Sequence, residues 1–282
     1  FSICKRKYFY QYYGKYDDEW PEKRITQFKG LTSVPLIAGT IVHKVIETLL
    51  SRLRTTADAI NRVKFSDFVN REIEHQIKIN DFEERVYGAV SAVESADTAT
   101  TVEACLERFM DGPRFQWLIR DAARHSDEWI IDPPGYGESR IGDLKIYCKA
   151  DFLFPVGDEL HIIDWKTGRP DRKKHRKQLM GYSTWAAHQF NIDAERVKPT
   201  IAYLQPVYEE IHETFNVFDL ERFGNEVQAE TDEMGEYCQD VERNIPRDKA
   251  DFPKTRQDTV CIRCKFRGLC FPDKYSANFR GA

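Results

Sequence analysis

The sequence lacks several features that would set it apart from ordinary globular proteins. It contains no run of about 20 apolar residues, so we expect neither a membrane-spanning helix nor a membrane partner. The most apolar stretch, residues 34–50, is interrupted by a glycine, a histidine and two charged residues. The segment after Phe1 has no charged region followed by an apolar one, so no signal peptide is visible. Internal repeats and low-complexity tracts are also missing.

The composition is that of a folded, soluble protein. Apolar residues make up 41% and charged residues 31% of 282 positions, which excludes a mainly disordered, collagen-like or disulfide-scaffold chain. This length predicts about two domains, or one large domain with an appendage. The net charge of −4 gives no general sign of nucleic-acid binding, but the charge is uneven. Seven of the twelve residues in 166–177 are Lys or Arg, whereas residues 219–242 carry nine acids and one Arg.

Hydrophobic periodicity predicts helices in the first part of the chain and then a mixture of strands and helices. Residues 36–53 have the helical period, and Gly39, His43 and Glu47 share one face because they are four residues apart. Apolar and polar residues alternate over 146–154, as in a strand. The other expected elements are a turn at 155–159, strands at 160–166, 199–206 and 211–218, and helices at 172–190 and 219–243. This order predicts an α/β fold with a central sheet flanked by helices.

Asp164 and Lys166 lie two apart in a predicted strand, so their side chains point to the same face. Such a pair occurs about once by chance in a chain of this size, and alone it would indicate a surface ion pair. Asp151 lies on the preceding strand, where antiparallel pairing would bring it beside Asp164. Two carboxylates buried together require a cation, usually a divalent metal. Lys166 would then be a fixed positive charge that stabilises a charged transition state.

The seven cysteines include a group that suits a metal cofactor. Cys261, Cys264 and Cys270 lie close together near one end of the chain, and Cys4 lies near the other. Four thiolates bind either an iron–sulfur cluster or structural zinc. The asymmetric spacing favours [4Fe–4S], because a zinc ribbon usually has two local pairs. Such a site would tie both termini together and would require a reducing compartment, so we expect a cytoplasmic protein. The remaining cysteines are expected to be small buried apolar residues: Cys105, Cys148 and Cys238.

These residues resemble a known family. Asp151 together with the sequence Asp-Trp-Lys-Thr-Gly that begins at Asp164 resembles the PD-(D/E)XK nuclease signature. The neighbouring motifs are similar to those of the RecB-like nucleases, namely G-x-x-x-H from Gly39 to His43 and Q-x-x-x-Y from Gln178 to Tyr182. The four spaced cysteines resemble the iron–sulfur staple of the AddB nuclease domain and of CRISPR-associated RecB-family nucleases. The region 54–127 matches none of these motifs.

The resemblance implies a restriction-endonuclease-like fold, with a mixed central sheet and flanking helices. The nuclease core would span 31–244, and a cluster module would join 1–30 with 245–282. The implied catalytic residues are Asp151, Asp164, Lys166, Gln178 and Tyr182. The implied ligands of Mg²⁺ or Mn²⁺ are His43, Asp151, Asp164 and the backbone carbonyl of Trp165. A histidine ligand favours Mn²⁺, although His43 by itself would more often be a satisfied core histidine.

The implied function is metal-dependent hydrolysis of DNA, by an exonuclease that acts on single strands or DNA ends. The resemblance places it in recombination repair, CRISPR adaptation or phage-related defence, with a helicase or another nucleic-acid-processing protein as a partner. The alternative is a non-catalytic or accessory DNA-binding subunit of a helicase–nuclease complex. The sequence has no G-x-x-x-x-G-K-[ST] phosphate loop, so it carries no motor motif and leaves that alternative open.

Segments next to these motifs carry further expectations. The basic residues in 169–177 are expected to contact the phosphate backbone of nucleic acid. Gln178 and Tyr182 are either helix surface or reach one strand of DNA. The aromatic residues in 8–16 are expected to pack around the cysteines, with base stacking as the alternative. Glu47 is expected to orient His43 rather than to bind the metal.

Overall fold

Helices fill the first part of the chain, and strands and helices mix in the rest. The computed structural model describes residues 1–56, 58–120, 126–131, 138–141 and 144–279. The helices are α1 (Lys5–Tyr8), α2 (Glu22–Lys29), α3 (Val34–Leu53), α4 (Arg62–Ile79), α5 (Glu83–Val86), α6 (Ser95–Asp111), α7 (Pro113–Arg120), α8 (Arg172–Phe190), α9 (Val217–Gly235), α10 (Asp258–Ile262) and α11 (Arg267–Cys270). The strands are β1 (Ile130–Ile131), β2 (Glu138–Ile141), β3 (Leu144–Tyr147), β4 (Phe152–Val156), β5 (Glu159–Lys166), β6 (Val197–Tyr203), β7 (Glu209–His212), β8 (Cys238–Asp240) and β9 (Ile245–Pro246).

Five strands form the central sheet in the order β1-β4-β5-β6-β7. β5 pairs in parallel with β6 and antiparallel with β4, and β7 pairs antiparallel with β6. The sheet is therefore mixed, and helices flank it, so the predicted α/β fold class is confirmed. Two smaller antiparallel pairs, β2 with β3 and β8 with β9, lie outside this sheet.

The two faces of β5 contact different helices, because successive side chains of a strand alternate. Ile162 lies in a buried apolar core with Leu179 of α8. On the other face, the ring of Trp165 lies 5.5 Å from the ring of Phe109 in α6. By the same alternation, Asp164 lies on the α8 side of the sheet.

The chain forms two compact units. One consists of residues 37–73 and 98–228 and contains the central sheet. The other combines residues 1–36, 74–97 and 229–282, so it contains segments from both termini. The predicted domain boundaries at residues 30 and 244 remain predictions.

In the unit of residues 1–36, 74–97 and 229–282, called the terminal unit below, aromatic side chains join the first and last segments. Arg6 donates its backbone N–H to Pro253 O at 3.2 Å, and the rings of Phe9 and Phe252 lie 5.1 Å apart. Phe9 belongs to a buried cluster that also contains Cys264 and Phe266. The expected packing of part of the aromatic run near the cysteines is therefore present.

Some predicted element boundaries are wrong by a few residues. α3 begins at Val34 rather than at residue 36, because a proline in the first turn needs no hydrogen-bond partner for its nitrogen. The predicted strand at 146–154 is broken, since residues 148–150 are in no strand. The predicted turn at 155–159 is shorter, because β4 ends at Val156 and β5 already begins at Glu159.

The later elements also differ from the prediction. The strand predicted at 211–218 is β7, which ends at His212, and Val217 already opens α9. The acidic helix ends at Gly235 rather than at residue 243, and residues 238–240 form β8. Acidic residues continue past Gly235 at 236, 240 and 242, and the predicted helix extends through them.

α3 is long and apolar enough to cross a membrane by length and composition alone. This observation is weak evidence for a membrane span, because the core helix of a globular protein passes the same test. Nine side chains of α3 are buried within the protein, among them Ile41, Val42 and Val45. The burial accounts for the apolar composition of α3.

A half-buried ion pair joins α7 to β7. Arg114 Nη2 lies 2.7 Å from Glu210 Oε2, and Arg114 Nε donates to Glu210 Oε1 at 3.1 Å. Tyr208 also donates its hydroxyl to Glu210. Burial alone would raise the pKa of Glu210, but these hydrogen bonds outweigh it and lower that pKa.

Glu210→Gln should lower the free energy of unfolding at pH 7 by about 1–3 kcal/mol, because it removes a charge-assisted bidentate contact and leaves Arg114 unpaired. This difference in the free energy of unfolding should be fully present above the ordinary pKa of a glutamate. It should shrink as the pH falls through the lowered pKa of Glu210. Chemical denaturation at several pH values measures it. Glu209→Gln, which affects the exposed pair with Arg172, is the control and should change stability little. Equal effects of both substitutions at all pH values would contradict this assignment.

Candidate active site

Asp164, near the end of β5, is the most buried carboxylate of the site, with 3% of its surface exposed. Its Oδ1 lies 2.5 Å from the hydroxyl of Tyr182 and 3.1 Å from Nε2 of Gln178. Its Oδ2 forms an ion pair with Lys166 Nζ. The structure thus brings together four of the residues predicted from the sequence.

Gln178 and Tyr182 belong to a hydrogen-bonded group rather than to a free helix surface. Gln178 donates to Tyr182 as well as to Asp164, with 2.6 Å between Nε2 and the hydroxyl oxygen. The Tyr182 hydroxyl also lies 2.9 Å from the carbonyl oxygen of Lys149. A hydroxyl has one proton, and the charged carboxylate is the stronger acceptor. We therefore assign the Tyr182 proton to Asp164.

Asp151 comes directly before β4 and beside Asp164, as the antiparallel register of Phe152 with Ile163 requires. Its Oδ2 accepts the backbone N–H of Trp165 at 2.9 Å. Burial, and then the charge of Asp151, raise the pKa of Asp164 to about 6. The predicted pairing of two carboxylates is therefore present, and the charge of Asp151 adds to the larger effect of burial on the pKa of Asp164.

His43 in α3 contacts the other oxygen of Asp151, with 3.0 Å between Nδ1 and Oδ1. Burial alone would lower the pKa of His43, but the charge and hydrogen bond of Asp151 outweigh burial and raise it. Because Nδ1–H donates to Asp151, Nε2 keeps the lone pair in the neutral ring. His43 is thus tied to the carboxylate pair and is not an isolated core histidine.

One expectation differs from the observed contacts, and another is not tested by them. Glu47, expected to orient His43, forms its ion pair with Lys44 at 3.0 Å, and Asp151 holds the His43 ring instead. Trp165 is expected to bind the metal through its backbone carbonyl. Its side chain is buried, and its backbone N–H donates to Asp151. The metal-binding role of the Trp165 carbonyl remains a prediction.

Gly39 allows α3 to come close to the end of β5. A Cβ at this position would lie 3.0 Å from Thr167 Oγ1, which is closer than almost all real Cβ contacts. Since His43 follows Gly39 by one turn of α3, this close approach helps to bring His43 to the carboxylates. The glycine of the G-x-x-x-H motif therefore has a steric role.

Reasoning from the sequence missed a pair of residues next to Lys166. His175 of α8 and Tyr203 of β6 are both buried, with 2.6 Å between Nδ1 and the hydroxyl oxygen. Tyr203 is the β6 partner of Lys166 in the parallel register. Burial, and then the charge of Lys166, lower the pKa of His175. The one available signal was that His175 precedes Leu179 by four residues, on the buried side of α8.

The donor set of this site fits a divalent cation by its chemistry. Two carboxylates and an imidazole suit Mg²⁺ or Mn²⁺, and the raised pKa of Asp164 shows that its negative charge is incompletely balanced. Within the described ranges, however, no group of three or more His, Cys, Asp or Glu side chains is arranged to hold a metal ion as it stands. The oxygens of Asp164 and Asp151 are instead held by Lys166 and His43.

The four predicted cluster cysteines line one small cavity of about 20 Å³ in the terminal unit: Cys4, Cys261, Cys264 and Cys270. Lys7, Lys254 and Arg267 also line this cavity. Burial raises the pKa of the thiols of Cys261, Cys264 and Cys270, to about 12 for Cys270. The donor chemistry suits a thiolate-bound metal, which displaces such protons. The four side chains, all within the described ranges, are not arranged to hold a metal ion as they stand. The cavity as it stands has about the size of one water molecule.

Comparison with known proteins supplies the family. A family model of the PD-(D/E)XK nuclease superfamily matches residues 1–271. The chain belongs to this superfamily. Membership implies a metal-dependent nuclease, and the mixed sheet is the restriction-endonuclease-like core of such nucleases. PD-(D/E)XK nucleases generally use Mg²⁺ or Mn²⁺. The RecB-like branch and the iron–sulfur cluster remain predictions.

One solved structure, described as "Crystal structure of SSO0001", is similar to this PD-(D/E)XK nuclease over 95% of this chain and 94% of that one. The sequence identity is 15% and the TM-score 0.32, so this similarity carries no argument about activity. No curated protein matches the chain significantly.

Gly39→Ala should slow nucleic-acid cleavage about tenfold, because the added methyl would displace α3, and with it His43, from the carboxylates. Thr167→Ala in the same chain should restore most of the rate by removing the atom that the methyl meets. Initial rates in Mn²⁺ measure both effects. Gly168→Ala is the control, since no atom of the described residues lies within 4 Å of its added Cβ. Failure of Thr167→Ala to rescue the rate would show that the close approach is not the reason for the glycine.

Proposed function

We propose that this PD-(D/E)XK nuclease is a RecB-like deoxyribonuclease that acts as an exonuclease on single strands or DNA ends. The observation that carries the proposal is the buried carboxylate of Asp164, placed beside Asp151 and in an ion pair with Lys166 at the end of β5. We include in the proposal a helicase or similar DNA-processing protein as a partner, in recombination repair, CRISPR adaptation or phage-related defence.

The residues that would hold Mg²⁺ or Mn²⁺ are Asp151, Asp164, His43 and the carbonyl of Trp165. A metal bound by these residues would supply an activated water for in-line attack and would neutralise charge at the phosphorus. Asp151 contacts His43 in this structure, with 3.0 Å between Oδ1 and Nδ1, and thereby holds the ring beside the carboxylate pair.

The other predicted catalytic residues act on Asp164 and on the phosphate. Gln178 and Tyr182 are positioning residues, because both hold Oδ1 of Asp164 and thereby fix the direction of Oδ2. Lys166 carries a positive charge next to Oδ2. This charge would stabilise the negative charge that develops on the phosphate in the transition state.

We also propose that Cys4, Cys261, Cys264 and Cys270 hold a [4Fe–4S] cluster with a structural role. Four thiols around one cavity, supplied by both ends of the chain, support the proposal. The backbone N–H of Lys7 lies 3.5 Å from Cys4 Sγ and would donate a hydrogen bond to a thiolate. Because such a cluster requires a reducing compartment, the proposal includes a cytoplasmic location.

Asp164→Asn should reduce DNA cleavage to background, because it removes a ligand charge and keeps the acceptor for Tyr182. Lys166→Ala should also be inactive. Cleavage of 5′- and 3′-labelled single-stranded and duplex DNA, in Mn²⁺ and in EDTA, measures the effect. Asp158→Asn is the control, because Asp158 lies in the turn before the same strand and its ion pair with Arg196 is exposed.

Equal cleavage by wild type and Asp164→Asn, with thermal unfolding showing both folded, would refute the catalytic assignment. A wild-type protein that binds DNA but cleaves it with neither Mn²⁺ nor Mg²⁺ would favour the accessory-subunit alternative instead. Protection of one labelled end, or release of internal fragments, would separate exonuclease from endonuclease action.

The second expected outcome concerns the cluster. Anaerobically purified protein should be brown and contain about four irons per chain. Replacing any one of the four cluster cysteines with serine should remove the iron and lower the unfolding temperature. Cys238→Ser is the control, because Cys238 is in the same unit but contacts Tyr13 and does not line the cavity. One zinc per chain without iron would reject the cluster in favour of a zinc site.

A further inference from the structure

A groove beside the active site is lined by a face of α8 and by the chain after β3. Its volume is about 570 Å³, and its lining includes Lys149, Lys173, Lys174 and Lys177. Tyr147 also lines it, with 72% of its surface exposed. The groove therefore combines clustered positive charge with an exposed aromatic ring.

The basic segment at the start of α8 is divided between two sides of the helix. Arg172 Nη2 lies 2.6 Å from a Glu209 oxygen, and Arg176 Nε lies 3.3 Å from a Glu213 oxygen. The charges of these two arginines are thus balanced by acids at β7 and just after it. Lys173 and Lys177, one residue further along in each case, line the groove.

The groove shares a wall with the catalytic carboxylate. Gln178 and Tyr182 line the groove and also contact Oδ1 of Asp164. The carbonyl oxygen of Lys149, another lining residue, lies 2.9 Å from the Tyr182 hydroxyl. A chain of nucleotides lying in the groove would therefore be separated from Asp164 only by the side chains of Gln178 and Tyr182.

We infer that this groove binds the single-stranded DNA segment that adjoins the scissile phosphate. Lys173, Lys174 and Lys177 contact its phosphates, and Tyr147 stacks on one base. The inference rests on the proposed function and names the form of substrate that the same site accepts. A positive groove combined with an aromatic platform is how proteins bind single strands without sequence preference.

The size and shape of the groove favour a single strand over a duplex. Its volume is in the range of clefts for small ligands, which suffices for about one or two nucleotides but not for a double helix. A base can stack on Tyr147 only when it is unpaired. Gly181 lines the groove without a side chain, which leaves room for the strand.

The charge test compares two matched pairs on the same helix. Lys173→Gln with Lys177→Gln should weaken binding of single-stranded DNA and reduce the slope of log K against log salt by up to ~1.4, since each single-strand contact contributes ~0.7. Arg172→Gln with Arg176→Gln removes the same charge at the same spacing and should leave the slope unchanged. Fluorescence anisotropy with a labelled oligonucleotide, without added divalent cation, measures binding. Equal slope losses in both pairs would overturn the inference.

Two further variants test the shape of the groove. Tyr147→Ala should weaken single-strand binding about tenfold at every salt concentration, because one stacking contact is lost. Gly181→Leu should also weaken binding while all charges remain. Among the described residues an added Cβ meets Phe223 at 3.5 Å, and the rest of the side chain would enter the groove. Wild-type affinity in both variants, or equal affinity of the wild type for duplex DNA, would refute single-strand binding there.

The outcomes separate the groove from the catalytic proposal. If wild type cleaves in Mn²⁺, and the Lys173/Lys177 double variant binds and cleaves DNA as wild type does, the groove is refuted and the catalytic proposal stands. If wild type does not cleave, and the Lys173/Lys177 double variant loses binding while the Arg172/Arg176 double variant does not, the groove stands and the catalytic proposal fails.

Discussion

The proximity of two carboxylates, one of them buried, is the constraint from which the rest of the site follows. Taking the Asp164 carboxylate out of water beside Asp151 costs several kcal/mol unless positive charge and hydrogen bonds offset the loss of hydration. Lys166 provides the charge, and Tyr182 and Gln178 provide hydrogen bonds to Oδ1. The pKa shift of Asp164 to about 6 indicates that this compensation is incomplete. A divalent cation is the group that would complete it.

Much of this site could be predicted because its residues are close in sequence or carry a distinctive spacing. Asp164 and Lys166 share a face of one strand, and Gln178 and Tyr182 share a face of one helix, so local geometry sufficed to pair them. Asp151 required the register of a hairpin, which a short turn restricts to a few choices. The family resemblance then joined these local pairs into one site.

Other features depend on contacts between distant elements, which local periodicity does not contain. The pairing of His175 with Tyr203 arises only when α8 packs on β6, and nothing in either segment indicates it. Glu47 has the right spacing to reach His43, but an ion pair with Lys44 competes with that contact. The strand predicted at 146–154 breaks at 148–150, although its alternation continues through the break.

The terminal unit is assembled from segments that are far apart in the chain, and this has a consequence for how the protein matures on the ribosome. Phe9 packs on Phe252, and Cys264 lies in the same buried cluster. At a synthesis rate of about 5–20 residues per second, Phe9 waits roughly 12–50 seconds for Phe252 to be made. During that interval the aromatic residues of the nascent amino-terminal segment lack their eventual neighbours and offer an apolar surface to chaperones. The unit that joins the two ends of the chain is therefore the last to acquire its core.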